Sequence, residues 1–361
     1  MSRPAELQIN LSAIQSNIRL VKSLANKSKV VACIKADAYG HGAAEVAKAI
    51  DSEADLFGLA CLEEVHAIQN SNLNTPSLLL EGCFEKGEWQ EAHQLGCSVV
   101  IHQEEQLQQF LSLQLSSPMN VWLKLDSGMH RLGFNTEDYI KAHQKLSAST
   151  MCNSITLMSH LACSEELDNP FNDQQINTFA NTTAKLSGKR SIANSAAILT
   201  RSDTHFDWVR PGYMLYGNSP MINESPQDRS LQHTMTFKSK VIAIRQIQAG
   251  EGVGYNHAWH AKENSTIAIV AAGYGDGYPR NSANGTPVLI NGHKAHTVGH
   301  VAMDMLLVDI SHLTSTGIDI GSQVELWGPN LSVSEVAQHS GFSGYELLTR
   351  LTARLPRQYL P

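Results

Sequence analysis

Residues 30–42 read VVACIKADAYGHG: five apolar residues in a row, then a lysine, then a turn of small residues closed by Gly40 and Gly42. A short run with no polar alternation reads as a strand covered on both faces, the kind found in parallel sheets. Seven similar runs follow at regular intervals: LFGLACL (56–62), SLLLEG (77–82), CSVVIH (97–102), VWLKLD (121–126), ITLMSH (155–160), RSIANS (190–195) and FDWVRPG (206–212). Most gaps between them carry helical periodicity, as in GAAEVAKAI, EEVHAIQN, EEQLQQFL and DQQINTFANTTAKL. Eight strand-helix units predict an α/β fold whose N-terminal part is a closed (β/α)8 barrel.

The alternation breaks at SPMINESPQDRS (219–230), which reads as a linker. Beyond it come β-branched runs, FKSKVIAIRQI, TIAIVAAG, PVLING, LLVDI and QVELWG, with Asn284-Gly285 and Asn291-Gly292 suited to tight hairpins. The expected organisation is therefore a barrel over residues 1–228 and a mainly antiparallel β domain over 229–361.

Composition narrows the function. The chain has 361 residues, 42% hydrophobic and 17% charged, enough for a sizeable core. A formal charge of −7 and no Lys/Arg block with interleaved aromatics argue against nucleic acid as a partner. No stretch has the length of a membrane span, and the N-terminus lacks an apolar export segment, so a cytoplasmic protein is expected. Six cysteines without CxxC spacing read as reduced, mostly buried fillers. The 16 histidines show no HExxH or similar spacing, so no metal is expected.

In a barrel, reactive groups gather at the C-terminal ends of the strands. Those ends bear Lys35, Glu81, His102, Asp126 with Arg131, His160, Ser195 and Arg210. Desolvation at such a place depresses a lysine pKa and frees a nucleophilic amine suited to an aldehyde cofactor, although a snorkelling lysine would look the same in spacing. Tyr39, Ser195, Gly212 and Tyr213 offer neutral donors for a phosphate, though Ser195 also suits a helix cap and Gly212 a plain turn. GEGVGY (250–255) and GYGDGY (273–278) lack the following helix of a dinucleotide loop and read as turns presenting Tyr255, Tyr274 and Tyr278.

Taken in order, VVACIKADAYGHG, WLKLDSGMHRLGF, MSHLA, ANSAA, VRPGYMLYG, GVGYN, AAGYGDGYPR, VAMDM and GYELLTRL resemble the motifs of the alanine racemases, from about residue 4 to the end. The resemblance implies pyridoxal 5′-phosphate as cofactor, interconversion of L- and D-alanine for peptidoglycan or for D-alanine catabolism, and a homodimer with shared active sites. Lys35 resembles the lysine that joins the cofactor aldehyde and serves as one base. Tyr255 from the partner chain resembles the opposite base. Arg210 resembles the residue facing the pyridine nitrogen, and His160 the histidine linking it to Tyr255. Phosphate contacts match Tyr39, Ser195, Gly212, Tyr213 and Tyr345. Arg131 and the partner chain's backbone at Met303, with Asp304 nearby, match the carboxylate-binding groups, while Lys124 matches a lysine often carried as a carbamate. Glu165, Tyr274, Arg280 and His300 match entrance positions. His300 stands where family members usually have arginine, and Ala302 replaces a more usual small polar residue or cysteine, which implies altered salt and pH sensitivity of substrate entry.

Rival readings differ at named residues. A non-catalytic barrel carrying the same cofactor would lack the second domain with Tyr255. A decarboxylase would set a carboxylate where Arg210 stands. A serine, lysine or broad-range racemase shares nearly every motif and is the alternative.

Overall fold

The computed structural model describes residues 3–221, 225–313 and 315–361, and the chain divides into two compact units. Residues 222–224 of the expected linker lie outside the described residues.

The first strand, β1 (Glu6–Asn10), leads into α1 (Leu11–Leu24). Then come β2 (Lys29–Cys33), α2 (Lys35–Gly40), α3 (Ala43–Ile50), β3 (Leu56–Leu59), α4 (Leu62–Gln69), β4 (Ser77–Leu79), α5 (Glu88–Gln94), β5 (Ser98–Ile101) and α6 (Glu104–Leu111). The alternation continues through β6 (Met119–Lys124), α7 (Thr136–Ala148), β7 (Cys152–Met158), α8 (Phe171–Thr183), β8 (Lys189–Ser191), α9 (Ser195–Thr200) and β9 (Trp208–Val209). Strands β2 to β9 form a closed parallel barrel, sealed where Lys29 and Val30 of β2 pair with Trp208 and Val209. All eight apolar runs become its staves.

An interior layer of Val31, Leu56, Leu78, Val100, Trp122 and Met158 fills the barrel, with Leu80 and Trp208 packed against it. Trp122 meets Trp208 edge-on at 5.4 Å between ring centroids. Replacing Trp122 by alanine would leave a cavity costing about 3–5 kcal/mol. Because side chains alternate along a strand, residues two positions beyond this layer (Cys33, Lys124, His160, Arg210) continue the inward face toward the C-terminal mouth.

The other unit comprises the segment ending at Ala13, residues Tyr39–Gly42, and His233–Pro361. Its strands are β1, β10 (Met235–Ile247), β11 (Gly252–Val253), β12 (Trp259–His260), β13 (Ser265–Val270), β14 (Pro287–Ile290), β15 (His293–Thr297), β16 (Leu306–Asp309), β17 (Gln323–Trp327) and β18 (Arg357–Leu360). Two short helices, α10 (Val333–Gln338) and α11 (Gly344–Thr349), complete it. The long β10 pairs with β17 through its first half and, past an irregularity at Val241/Ala243, with β13 through its second. That double pairing closes an antiparallel circuit, β10-β13-β16-β15-β14-β17. On the other side of β10 lies β1, antiparallel, and β18 joins β1 in parallel.

Two local expectations change and one holds. The N-terminal segment, expected with the barrel, groups with the β unit because β1 finds its hydrogen-bond ladder on β10 and β18. Asn291 and Gly292, at φ of 47° and 82°, make the hairpin turn between β14 and β15. Asn284-Gly285 makes no hairpin; its Asn284 side chain instead accepts from the Gly299 N–H at 2.7 Å.

Candidate functional site

Lys35 lies two residues past the end of β2 and is half-buried. The four residues after it, Ala36, Asp37, Ala38 and Tyr39, all adopt left-handed φ of 52–54°, and Gly40 follows at 78°. Left-handed helical backbone costs roughly 1–2 kcal/mol per non-glycine residue, so this turn is a store of strain that neighbours must hold. Glu64 holds one side, its carboxylate accepting from the Ala36 and Ala60 N–H groups, each at 2.7 Å. Asp37 accepts from the Ala43 N–H at 2.8 Å. Nothing in the residue types of KADAYG announces the left-handed run, and Glu64 lay unremarked within a predicted helix.

Just past the neighbouring stave β9, Arg210 is 4% exposed, and its pKa is pushed down to about 10 by burial. It remains a cation at neutral pH. Its guanidinium donates to the Ser191 hydroxyl and the Ser159 carbonyl, both at 2.5 Å, and to His160 Nδ1 at 3.3 Å. All are neutral acceptors. Since Nδ1 accepts this bond, the imidazole proton belongs on Nε2, the neutral tautomer. Burial, then the charges of Arg210, Lys124, Arg131 and Lys35, hold the His160 pKa well below its ordinary value.

Lys124 ends β6 and is 7% exposed, with a pKa pushed down to about 8 by burial first and then by Arg210, Arg131 and Lys35. Glu81 opposes that shift. Four cations thus crowd one mouth, an arrangement that calls for anions. Arg131 is exposed on the turn after β6, shaped by Asp126, which accepts from the Gly128 and His130 N–H groups at 2.9 and 3.0 Å. Burial raises the Asp126 pKa, but these donors outweigh it and leave it below the ordinary carboxylate value.

Gln175, fully buried on α8, was missed by sequence reasoning. Its amide donates to the His160 carbonyl at 3.1 Å and to the Ser127 hydroxyl at 3.3 Å, while its oxygen accepts from the Ala162 N–H at 2.8 Å. One side chain therefore ties the His160 strand end to the turn leading to Arg131. Only its place on a predicted helix was legible.

Ser195 opens α9, but Asn194 is the cap. The Ser195 hydroxyl instead accepts from the N–H groups of Gly212 at 3.0 Å and Met214 at 3.3 Å. The buried Tyr213 lies between those two residues, so a hydroxyl and backbone donors converge in one neutral cup. Asn194 also bonds Ser164 at 2.9 Å, anchoring the loop that carries the half-buried Glu165.

The remaining expected site residues belong to the β unit. Tyr39 and Tyr345 face each other with ring centroids 6.1 Å apart. Tyr255, 69% exposed, sits on a short turn entered through Gly254 at φ 71°. Met303 is 51% exposed, and its neighbour Asp304 is held by Arg354 at 2.6 Å. Tyr274 and His300 are half-buried, and Arg280 is exposed. Tyr278 is not presented at all: it is fully buried and stacked on Trp327, and burial pushes its pKa up. Gly273 and Gly275 are needed for a different reason, since a Cβ on Gly273 would run into the carbonyls of Ala302 and Met303, and one on Gly275 into the Arg354 guanidinium. The six cysteines are free, but only Cys33, Cys83 and Cys97 are buried, so "mostly buried" overstated the case. Among the described residues no helix is long and apolar enough to cross a membrane.

Residues 9–220 match the family model described as alanine racemase, N-terminal domain, and residues 234–359 match alanine racemase, C-terminal domain. The chain is 44% identical over 357 residues to the biosynthetic alanine racemase of Pseudomonas aeruginosa, covering 99% of each. It is also 44% identical over 359 residues to that organism's catabolic alanine racemase, again covering 99% of each. The crystal structure of the P. aeruginosa biosynthetic enzyme superposes with a TM-score of 0.97, covering 99% of this chain and 100% of that one. The structure of Bartonella henselae alanine racemase with covalently bound pyridoxal phosphate superposes at 0.90 with 30% identity, covering 99% of both chains.

Proposed function

Because the chain belongs to the alanine racemase family, we propose that it interconverts L- and D-alanine using pyridoxal 5′-phosphate held in the barrel mouth. The observation that carries this reading is the setting of Arg210, a buried cation hydrogen-bonded only to neutral acceptors, in a mouth that also holds Lys35 and Lys124. The donor set fits the cofactor. Ser195, the Gly212 N–H and Tyr213 suit its phosphate, and Lys35 suits its aldehyde; by resemblance to the family, Tyr39 and Tyr345 also match phosphate contacts. When bound, the cofactor withdraws electrons from the substrate Cα and so weakens the Cα–H bond.

A guanidinium does not surrender its proton to a pyridine nitrogen, so Arg210 leaves that nitrogen unprotonated and limits electron withdrawal. Proton movement at Cα then falls to two bases. Lys35 serves one face, and Tyr255 from a second copy of the chain serves the other, so that one removes a proton while the other delivers one. His160, kept neutral with its proton on Nε2, is suited to relay the charge of Arg210 toward that phenol and lower a pKa that is ordinarily about 10.

Arg131 and, from the second copy of the chain, the Met303 backbone are suited to bind the substrate carboxylate. A fraction of Lys124 is a neutral amine near pH 8, which adds carbon dioxide with loss of a proton to give a carbamate, a negative group that orients Arg131. Glu165, Tyr274, Arg280 and His300 match the family's entrance positions. The free thiols suit a reducing compartment, the cytoplasm. The serine or lysine alternative is not favoured, since both full-length relatives are named for alanine.

The test is purified protein with pyridoxal phosphate, offered single L-amino acids and followed by chiral chromatography. Alanine should be racemised fastest, and Lys35→Ala and Tyr255→Phe should each lower turnover by at least about 100-fold. Normal turnover by both variants refutes the two-base assignment.

A further inference from the structure

Within the β unit, two turns are stitched together by backbone. Tyr274 N–H donates to the Ala302 carbonyl at 3.0 Å, and Gly275 N–H to the Met303 carbonyl at 2.9 Å. Between them lies Asp276, whose side chain is fully buried. Its carboxylate accepts from the Gly273 N–H at 2.9 Å and from both ends of the Arg3 fork, with Arg3 Nη2 at 2.7 Å from Oδ2. Arg354 Nε approaches the same carboxylate at 3.6 Å while its Nη2 donates to Asp304 at 2.6 Å. Arg3 also donates to the Asp304 carbonyl at 3.2 Å. Two guanidiniums and two carboxylates therefore balance, and Arg3 touches both turns from the far end of the chain.

The balance has a consequence for Arg354. A buried carboxylate stripped of its partner is strongly unfavourable, and a neighbouring cation is drawn in to replace what was lost. Without Arg3, Arg354 is the cation left to serve both Asp276 and Asp304. The buried site has the stronger claim, so Asp304 is released and the Met303 turn loosens.

We propose that Arg3 is a positioning residue for substrate binding: it neutralises Asp276, which leaves Arg354 free to hold Asp304 and fix the Met303 backbone. This rests on the reading of the Met303–Asp304 turn as part of the carboxylate site. Arg3 itself touches no reacting atom, so its loss should appear in KM and not in kcat.

The experiment uses holoenzyme. Arg3→Gln should raise KM for L- and D-alanine about 5-fold or more while kcat stays within about 2-fold. The inhibition constant of propionate, which offers the carboxylate without the amine, should rise in parallel. Arg3→Lys should recover part of the loss, because one ammonium neutralises Asp276 without the fork. The decisive variant is the double replacement Arg3→Gln with Asp276→Asn: with the buried charge gone, Arg354 returns to Asp304 and KM falls back toward wild type. A role in stability alone would leave KM and the propionate inhibition constant unmoved in every variant that folds. Wild-type KM and propionate inhibition in Arg3→Gln, or a defect that Asp276→Asn does not repair, overturns the proposal. Asp304→Asn is the control for the underlying reading: if it leaves KM unchanged, the Met303–Asp304 assignment fails, whatever Arg3 does.

Discussion

Lys124→Met should make the cofactor-free protein more stable at neutral pH and the holoenzyme less active. In the folded state the Lys124 pKa is pushed down to about 8 from an ordinary 10.5, by burial first and then by Arg210, Arg131 and Lys35. The unfolded chain keeps the ordinary value. Below pH 8 the folded protein must therefore carry a charge it holds less readily than the unfolded chain does, which opposes folding. At about 1.4 kcal/mol per unit the full penalty is roughly 3 kcal/mol, and it shrinks as pH rises from 8 and vanishes near 10.5. Methionine fills similar volume without the charge, so at pH 7 the variant should gain about 1–3 kcal/mol, or several degrees in the barrel's melting transition. The assay is thermal melting of both proteins in carbon-dioxide-free buffer from pH 6 to 10. The advantage should be greatest below pH 8 and close as pH rises. An advantage that does not change with pH, or none at pH 7, refutes the placement of Lys124 among the three other cations. The same shift makes roughly one Lys124 amine in ten neutral at pH 7, against fewer than one in a thousand for an ordinary lysine. Added bicarbonate should therefore stabilise wild type and leave Lys124→Met unmoved.

His160 gives the opposite limb of the pH profile. Its folded pKa lies well below the ordinary value, so the unfolded chain takes up a proton first and stability falls as pH drops below about 6.5; His160→Gln should flatten that fall in melting temperature. Gly273→Ala forces a Cβ against the carbonyls of Ala302 and Met303, and steady-state kinetics should show KM raised several-fold with the barrel's melting transition unchanged. Asn291→Val puts a β-branched residue at φ 47° in the β14–β15 turn and should cost about 1–2 kcal/mol in denaturant unfolding.

Much of this was legible before any coordinates. The barrel follows from eight apolar runs because strands covered on both faces need no polar alternation, and Lys35, Lys124, His160 and Arg210 fall at its mouth because they close or follow such runs. What stayed hidden depends on partners distant in sequence. The ladder that claims β1 is supplied by β10 and β18, more than 220 residues on, so nothing local marks the N-terminus as part of the β unit. Tyr278 lies in a turn-like motif, and the Trp327 ring it stacks on comes far later in the chain. Gln175 and Glu64 read as ordinary polar residues on helices until the backbone groups they satisfy are in place. The left-handed run after Lys35 is braced by Glu64 and Asp37, since alanine and tyrosine have no preference for it.

The most direct test of the account is borohydride reduction of the holoprotein followed by peptide mapping. The pyridoxyl group should be found on Lys35, the half-buried amine just past the end of β2. A label on Lys124 or any other lysine, with Lys35 unmodified, contradicts the assignment of the site.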